Sequence, residues 1–389
     1  AAAAAEDYLL DLDEREQGPL AHLARVEFIK VSLVLEKDAE YGFRFHGGRP
    51  HMDIDGFSIS TLDLLCEPGV QNGYTGPRDG WNREKEVPFI MSPSRWRLYA
   101  GMLRPHQYLK NLFIFLPPFF GARITHPEVV ILVLPVFGAF CLMASAVYIF
   151  NDIMDAEEDR NHPRKMDRPL ASGAIGPGPA AMLAVVLAIM AMAVVAWISV
   201  GLGSWDLLAL FLLYLVLNIS YSLKLKHYAI VDIVVIAVGF VIRLFVGAVS
   251  SGVHPSMWII FMTFLLALFL ALSKRRDDVV ISLTDSKKAR RSVDGYNIEF
   301  INAAMVIMAS VVIVSYIMYA VSPEVNAHFR TDKLYLTTIF VVLGILRYMQ
   351  ITFVLQDSGS PTLVLLKDRF LQATVLGWVA SFIIILYRK

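Results

Sequence analysis

The feature that most constrains this chain is a series of long apolar segments that begins after residue 100. They lie at approximately 107–121, 129–150, 180–202, 205–222, 229–249, 256–273, 299–321, 335–354 and 370–387. A helix of about 20 apolar residues, rising 1.5 Å per residue, crosses a hydrocarbon core about 30 Å thick. The segments lack the alternation of barrel strands, and lipid offers no partner for open backbone groups. The sequence therefore predicts an all-α, polytopic membrane protein with a bundle of nine transmembrane helices.

The first 90 residues differ from the rest in charge and in hydropathy. They carry 9 basic and 17 acidic side chains, although Lys plus Arg and Asp plus Glu balance at 35 each over the whole chain. We predict an acidic soluble segment of uncertain fold and unknown function at 1–90, and a transmembrane domain at 91–389. Met91 resembles a natural start, so the first segment is expected to be an added one.

Basic residues are concentrated in alternate connections, which sets the expected orientation in the bilayer. The basic residues on one side are Arg95, Arg97, Arg104, Arg160, Arg164, Lys165, Arg168, Lys224, Lys226, Lys274, Arg275, Arg276, Lys287, Lys288, Arg290, Arg291, Lys367 and Arg369. The opposite connections hold only Arg123, Arg330 and Lys333. The sequence thus predicts that the N-terminus and the basic connections are cytoplasmic.

The strongest chemical motif follows the second apolar segment. Asp152, Asp155 and Asp159 are spaced i, i+3 and i+7, so they share one face of a helix end. Their mutual repulsion is relieved by a cation, and a few carboxylates with remaining positions left to water and phosphate suit Mg²⁺. A solvated acidic helix end beside the headgroups is the alternative. We predict a magnesium site at which a diphosphate binds as a leaving group.

This motif carries a resemblance to a known family. Asn-Asp-x-x-Asp-x-x-x-Asp, beginning at Asn151, resembles the first Asp-rich motif of the UbiA superfamily of intramembrane prenyltransferases. The resemblance covers residues 95–389 and implies a UbiA-type bundle in which Asp152, Asp155 and Asp159 are catalytic metal ligands. Where that family carries a second Asp-rich motif, this chain has Ser-Lys-Arg-Arg-Asp-Asp at 273–278.

Several dispersed strings are more similar to one branch, the decaprenyl-phosphate phosphoribosyltransferases. The matching strings are 103–111, 162–165, 168–169, 274–275, 291–292, Tyr296, 346–348 and 368–372. This resemblance implies transfer of a 5-phosphoribosyl group from phosphoribosyl pyrophosphate to a polyprenyl phosphate for cell-envelope sugar synthesis. It also implies a multi-pass protein of the bacterial inner membrane with its active site on the cytoplasmic side.

Phosphoribosyl pyrophosphate carries a diphosphate and a separate 5-phosphate, and the lipid acceptor brings another phosphate. A pocket for both substrates needs extra cations, and Arg offers bidentate phosphate contacts. The predicted substrate-binding residues are Lys110, Asn151, Lys165, Arg168, Tyr221, Lys224, Lys274, Arg275, Arg276 and Arg291. For the cluster at 274–276 the alternative is the cytoplasmic bias of basic residues alone. For Lys224 and Lys226, which close the fourth apolar segment and could touch headgroups or substrate, the alternative is anchoring at the membrane interface.

Two ionisable residues fall inside the fifth apolar segment. Asp232 and Arg243 are eleven residues apart and hence about 16 Å apart along a helix, too far for a direct pair. Ionisable groups at such depth face a cavity or a partner. We predict that both line the cavity or pair with other helices.

Two other functions remain open at this stage. One is a prenyltransferase that moves a prenyl group to an aromatic or other small acceptor, and the other is a non-catalytic lipid-binding or transport protein. The expected partners are the two substrates and the bilayer, without nucleic acid, and the sequence is compatible with a homo-oligomer.

Overall fold

A computed structural model of the chain describes residues 43–46, 49–54, 57–60, 95–161, 165–284, 295–356 and 359–387. The chain divides into two compact units, Ala1–Pro88 and Phe89–Lys389. The second unit contains the helices and is called the membrane unit below.

The described part of the first unit is a three-stranded antiparallel sheet. Strands β1 (Phe43–His46), β2 (Arg49–Ile54) and β3 (Phe57–Ser60) are adjacent in chain order. The register pairs His46 with Arg49 and Ile54 with Phe57, so two residues separate each pair of strands. Those residues are Gly-Gly and Asp-Gly, dipeptides that favour tight hairpins. The sequence prediction left the fold of this unit open.

The described residues of the membrane unit form helices joined by turns, with no strand among them. Its α-helices are α1 (Arg95–Leu103), α2 (Leu116–Phe120), α3 (Pro127–Arg160), α4 (Pro177–Leu202), α5 (Asp206–Leu223), α6 (Val231–Ser251), α7 (Met257–Thr284), α8 (Ile298–Val321), α9 (Pro323–Phe329), α10 (Thr338–Phe353), α11 (Pro361–Lys367) and α12 (Arg369–Tyr387). Short 3₁₀ helices occupy Pro105–Phe115, Leu225–His227 and Leu334–Thr337.

Seven helices of the described chain are long and apolar enough to cross a membrane. They are α3 to α8 and the continuous stretch Leu334–Phe353; α11 and α12, bent by 87°, form an eighth span if they are counted together. The protein is therefore an integral membrane protein of all-α class. The seven spans match the predicted segments, whereas the predicted count of nine transmembrane helices stays a prediction.

The first predicted segment, 107–121, is not an α-helix of spanning length. It forms the 3₁₀ helix Pro105–Phe115 followed by α2, because Pro105, Pro117 and Pro118 cannot donate backbone hydrogen bonds. At about 2.0 Å per 3₁₀ residue and 1.5 Å per α-helical residue, the two pieces extend about 30 Å. The segment begins beside Asp152, which pairs with Arg104, and ends beside Val253, which contacts Gly121. It therefore follows α6 from one end of the bundle to the other.

Two helices extend beyond their predicted apolar cores. Helix α3 has 34 residues and carries the whole Asp motif, and α7 has 28 residues and carries 274–278. The prediction that Lys274, Arg275 and Arg276 lie in a loop is wrong. The helix continues through them because buried polar partners from neighbouring helices receive their side chains.

Helices α3 and α6 form the centre of the bundle. In their most apolar stretches 56% and 67% of residues are buried, compared with 28% and 22% for α4 and α5, which face lipid. Helix α6 contributes to four hydrophobic clusters. In the two largest, Ile242 and Val246 pack with α3, α4 and α5, whereas Ile233 packs with α7, α8 and α10. Helix α6 thus joins the two halves of the bundle.

The 3₁₀ helix approaches α6 closely at Gly247. A β-carbon at this position would lie 1.9 Å from the carbonyl oxygen of Ile114, whose side chain is fully buried. Only glycine therefore fits without moving the backbone of the 3₁₀ helix. This contact fixes the depth at which the 3₁₀ helix presents its polar residues to α6.

We predict that Gly247→Ala lowers the thermal unfolding midpoint of the detergent-purified protein, because the methyl group collides with backbone. Overpacking of this kind costs about 1–3 kcal/mol. Gly138→Ala in α3 is the control, since a β-carbon there meets nothing within 4 Å. The control should unfold at the wild-type temperature or above it; equal midpoints for the two variants would contradict the close approach.

Candidate active site at the acidic end of helix α3

The three carboxylates of the Asp motif lie on one buried face near the end of α3. Asp152, Asp155 and Asp159 are 6%, 1% and 2% exposed, respectively. Ionised carboxylates at this burial require compensating charges or hydrogen bonds. The contacts of this face therefore show how the chain satisfies three negative charges at once.

Two of these carboxylates are paired with arginine. Arg104, from the turn before the 3₁₀ helix, reaches both oxygens of Asp152 at 2.5 and 2.6 Å. Arg168, from the connection between α3 and α4, donates to Asp152 at 3.1 Å and to Asp159 at 2.5 Å. The ammonium of Lys165 lies 3.6 Å from Asp159. The predicted residues Lys165 and Arg168 thus meet the Asp motif.

Asp155 is paired with a lysine from another helix end. Lys226, in the 3₁₀ turn after α5, forms an ion pair with Asp155, and both residues are buried. The Asn151 amide donates to the other oxygen of Asp155 at 2.9 Å, and the Ser222 hydroxyl donates to Asn151 at 3.1 Å. These contacts join the end of α5 to the Asp motif.

The motif fits a metal that arrives together with a phosphate ligand. Among the described residues, no group of three His, Cys, Asp or Glu side chains is arranged to hold a metal ion by itself. Instead, cationic nitrogens occupy the positions next to the carboxylates, where a divalent cation would bind. Mg²⁺ is usually bound by one or two carboxylates, with water and substrate phosphate completing its shell. The donor set suits that arrangement, and the metal role of the motif stays a prediction.

A second buried network surrounds Arg275 on α7. Its guanidinium, 1% exposed, donates to Asp232 at 2.5 Å, to Asp278 at 2.7 Å and to the Tyr221 hydroxyl at 3.2 Å. Asp232 also accepts a hydrogen bond of 2.7 Å from Tyr296. Burial, and then this bond to Asp232, raise the pKa of Tyr296, so the phenol stays protonated as a donor. The pairing predicted for Asp232 with another helix is confirmed by this contact.

The remaining predicted residues are distributed around these two networks. Arg276 donates to Asn302 at 2.9 Å and to the carbonyl of Thr352 at 2.7 Å, so it connects α7 to α8 and α10. Lys224 is exposed, whereas its neighbour Lys226 is buried at the motif. Arg291 lies outside the described residues. Substrate binding by the 274–276 cluster, by Tyr221 and by Lys224 stays a prediction.

Two contributors to the site are absent from the predicted set. Arg104 stands in the string 103–111 but precedes a proline, and nothing in the spacing shows that it turns towards Asp152. Its backbone is left-handed, with φ of 52°, which directs the chain into the 3₁₀ helix. Lys226 differs from Lys224 only by its position in a 3₁₀ turn. Partner choice of this kind is set by tertiary structure.

Two of the sequence strings that support the family resemblance, 346–348 and 368–372, are joined by an ion pair between their side chains. Arg347 on α10 meets Asp368, between α11 and α12, at 2.7 Å. The hydrogen bond from Arg347, the largest influence, lowers the pKa of Asp368. Asp368 also accepts from the backbone N–H of Leu371 at 2.8 Å, at the start of α12. This pair stabilises the bend between α11 and α12.

Comparison with known proteins gives a consistent family assignment. The model of the UbiA prenyltransferase family matches residues 112–372, which is most of the membrane unit. A decaprenyl-phosphate phosphoribosyltransferase of Mycolicibacterium smegmatis is 29% identical over 78% of this chain and 97% of its own length. A protein of the same name from Corynebacterium glutamicum is 28% identical over 88% of this chain and 98% of its own.

The fold is also found among solved structures. A UbiA homolog from Archaeoglobus fulgidus, bound to GPP and Mg²⁺, superimposes with a TM-score of 0.54 at 18% sequence identity. The match covers 74% of this chain and 99% of that chain. At this identity the similarity establishes the helical architecture.

We predict that Arg275→Met strongly destabilises the protein, because it leaves Asp232 buried without its cation. Breaking one partner of a buried ion pair costs about 3–5 kcal/mol. Thermal unfolding in detergent measures the effect, and Lys224→Met, at an exposed position, should leave the midpoint unchanged. Wild-type stability in Arg275→Met, combined with weakened binding of a phosphorylated substrate, would instead make Arg275 a ligand of the substrate.

Proposed function

The chain belongs to the UbiA prenyltransferase family, and from this premise we propose that it transfers a 5-phosphoribosyl group from phosphoribosyl pyrophosphate to a polyprenyl phosphate. The reaction releases pyrophosphate and depends on Mg²⁺. The names of the two relatives that match almost their full lengths support this choice of substrates. Because the family consists of transferases that act on lipids, the remaining question is which group moves.

The observation that carries the proposal is the excess of cations around the Asp motif. The three carboxylates meet four cationic side chains: Arg104, Lys165, Arg168 and Lys226. Two further cations lie along the 3₁₀ helix, where Arg243 donates at 2.9 Å to Asn111, the chain neighbour of Lys110. A prenyl diphosphate and an uncharged acceptor bring only one diphosphate. A phosphoribosyl donor and a lipid phosphate bring three phosphate-bearing positions, which matches the larger positive charge.

The sequence at the place of the family's second acidic motif supports the same pair of substrates. In this chain Asp278 remains acidic but pairs with Arg275 at 2.7 Å, and Lys274 and Arg276 flank that arginine. A site with fewer free carboxylates and more cations favours phosphate-rich substrates over a second divalent metal. The change in charge therefore has the sign that the proposed donor requires.

The proposed step is a displacement at ribose C1. An anionic oxygen of the lipid phosphate forms a bond to C1, while the bond from C1 to the pyrophosphate oxygen breaks and its electron pair leaves with pyrophosphate. The attacking oxygen is already ionised near neutral pH, so the chain has to supply no general base. Catalysis consists of positioning the two substrates and stabilising the departing charge.

The residues of the motif have distinct parts in this scheme. Asp152 and Asp155, with Asp159 directly or through water, would hold Mg²⁺, which when bound neutralises the diphosphate. Arg104, Arg168 and Lys226 are at present paired with those carboxylates and can exchange them for phosphate oxygens when substrate enters. Such an exchange keeps every buried charge paired before and after binding.

We also propose on which side of the membrane the site lies. The Asp motif, the turn containing Lys226 and the start of α6 lie at one end of the bundle, and the basic connections of the sequence belong to this end. By the excess of positive residues, this end faces the cytoplasm of a bacterial inner membrane. A water-soluble phosphosugar enters from that side, while the lipid phosphate comes from the bilayer.

We predict that Asp152→Asn and Asp155→Asn abolish transfer in protein that still folds. Each variant keeps the side-chain shape, and the buried cation that it leaves unpaired lowers the thermal unfolding midpoint. The assay follows label from phosphoribosyl pyrophosphate into polyprenyl phosphate, with and without Mg²⁺. Glu157→Gln on the same helix, whose carboxylate lies outside the buried face, is the control and should retain activity.

A second arm of the assay tests the alternative function. It supplies a labelled prenyl diphosphate together with an aromatic acceptor. Magnesium-dependent label from the phosphosugar in the lipid supports the proposal. Transfer only from the prenyl donor would make the protein a prenyltransferase with an altered second motif, and full activity of Asp155→Asn would refute the role of the motif.

A further inference from the structure

A buried arginine in the centre of the bundle has no counter-ion among the residues that the structure describes. Arg243, on α6, is 4% exposed. Its guanidinium donates to Asn111 at 2.9 Å, to the carbonyl of Gly239 at 2.8 Å and to the Tyr214 hydroxyl at 3.0 Å. All three acceptors are neutral. Within the described residues no carboxylate lies at ion-pair distance from Arg243.

Aromatic rings complete the surroundings of this guanidinium. The central carbon of Arg243 lies 5.1 Å from the ring centre of Phe140, 5.0 Å from that of Tyr214 and 5.4 Å from that of Phe240. Cation–π contacts and neutral hydrogen bonds orient a guanidinium but do not neutralise it. A guanidinium has five N–H donors, of which these bonds use three. Two donors and a full positive charge therefore remain.

Lys110 brings a second uncompensated charge to the same place. It is partly buried in the 3₁₀ helix, one residue before Asn111, which accepts the bond from Arg243. Lys110 has no hydrogen bond or ion pair among the described residues, and the charges that act on it belong to Arg243 and Arg104. Two like charges in one region of low dielectric are costly unless an anion joins them.

The surrounding contacts separate this pair from the Asp motif. Arg104 is engaged by Asp152 through both carboxylate oxygens, and its guanidinium stacks 5.5 Å from the ring of Tyr148. Arg243 lies 5.1 Å from the ring of Phe140, about three helical turns before Asp152 on α3. The pair Lys110 and Arg243 is thus deeper in the bundle than the motif and has its own donors.

The geometry points to a phosphomonoester subsite formed by Lys110 and Arg243, deeper in the bundle than the Asp motif and separate from it. A phosphate monoester carries a charge of about −1.5 to −2 near neutral pH, which balances two cations. The free donors of Arg243 and the ammonium of Lys110 supply charge-assisted hydrogen bonds to its oxygens. A diphosphate with its metal needs carboxylates, which the motif offers and this pair does not.

This inference deepens the proposed function and rests on it in one respect, the identity of the molecule that carries the bound phosphate. Two carriers share the required chemistry: the 5-phosphate of the sugar donor and the phosphate of the lipid acceptor. Either carrier would use the pair to fix its distance from the diphosphate at the motif. The subsite therefore predicts selectivity for substrates that carry a second phosphate.

The test measures binding without turnover, in detergent-purified full-length protein with EDTA present so that the metal site is excluded. Ribose 5-phosphate and farnesyl phosphate are the two probes, with ribose and farnesol as their phosphate-free counterparts. The ligand-dependent rise of the thermal unfolding midpoint gives an apparent Kd. We expect at least one phosphate probe to stabilise the wild type, and the counterparts to have no effect.

Lys110→Met and Arg243→Gln each remove one charge and should weaken that binding about tenfold or more, since a hydrogen bond to a charged group is lost. Tyr214→Phe is the matched control, because it removes a bond to Arg243 but keeps the charge, and it should bind within about threefold of wild type. If Arg243→Gln does not fold, Lys110→Met decides, since Lys110 makes no bond among the described residues.

The outcomes separate the two proposals. Dependence of ribose 5-phosphate binding on the pair assigns the subsite to the sugar donor, and dependence of farnesyl phosphate binding assigns it to the lipid. Absence of binding by both probes, or unchanged binding in Lys110→Met, would overturn the subsite even if phosphoribosyl transfer is observed. Pair-dependent binding without transfer from phosphoribosyl pyrophosphate would refute the proposed function and leave the subsite intact.

Discussion

The pairing of buried carboxylates with cations from other parts of the chain is the interaction on which the rest of this structure depends. Three aspartates on one face of α3 would repel one another in the interior, and each is instead matched by a basic side chain. Those side chains come from the turn before the 3₁₀ helix, from the connection after α3 and from the turn after α5. Because Arg104 and Lys226 are distant from the motif in sequence, their ion pairs hold separate helix ends together.

The same pairs explain how one structure can be both stable and ready to bind. An arginine that is engaged by a carboxylate is already desolvated and oriented, so exchange of that carboxylate for a phosphate oxygen requires little reorganisation. A carboxylate released in this way becomes available to a divalent cation. Under the proposed function, the Asp motif would therefore couple the arrival of an anionic substrate to the formation of a cation site, since either event alone would leave a buried charge unpaired.

Sequence reasoning predicts the parts of this fold that depend on local patterns. Apolar length identified seven spans, and the i, i+3, i+7 spacing identified the buried acidic face, because both follow from helix geometry alone. The 3₁₀ helix was missed, since the difference between 3₁₀ and α depends on proline placement and on packing against Gly247. Partner choice was equally inaccessible: the turn after α5 decides whether Lys224 or Lys226 reaches Asp155. The packing of α7 against α5 and α6 decides the burial of Arg275.

Helix α6 shows why burial of a charge is not by itself a sign of function. Asp232, at its start, is fully buried and satisfied by Arg275 and Tyr296, so it needs nothing beyond the chain. Arg243, on the same helix and about 16 Å away by helical rise, is equally well oriented but keeps its charge. A buried guanidinium that is held in place by neutral acceptors but not neutralised destabilises the fold, and it is suited to binding an anion. Asp232 has a counter-ion in Arg275, whereas Arg243 has only neutral partners among the described residues. We therefore assign a structural role to Asp232 and a ligand-binding role to Arg243.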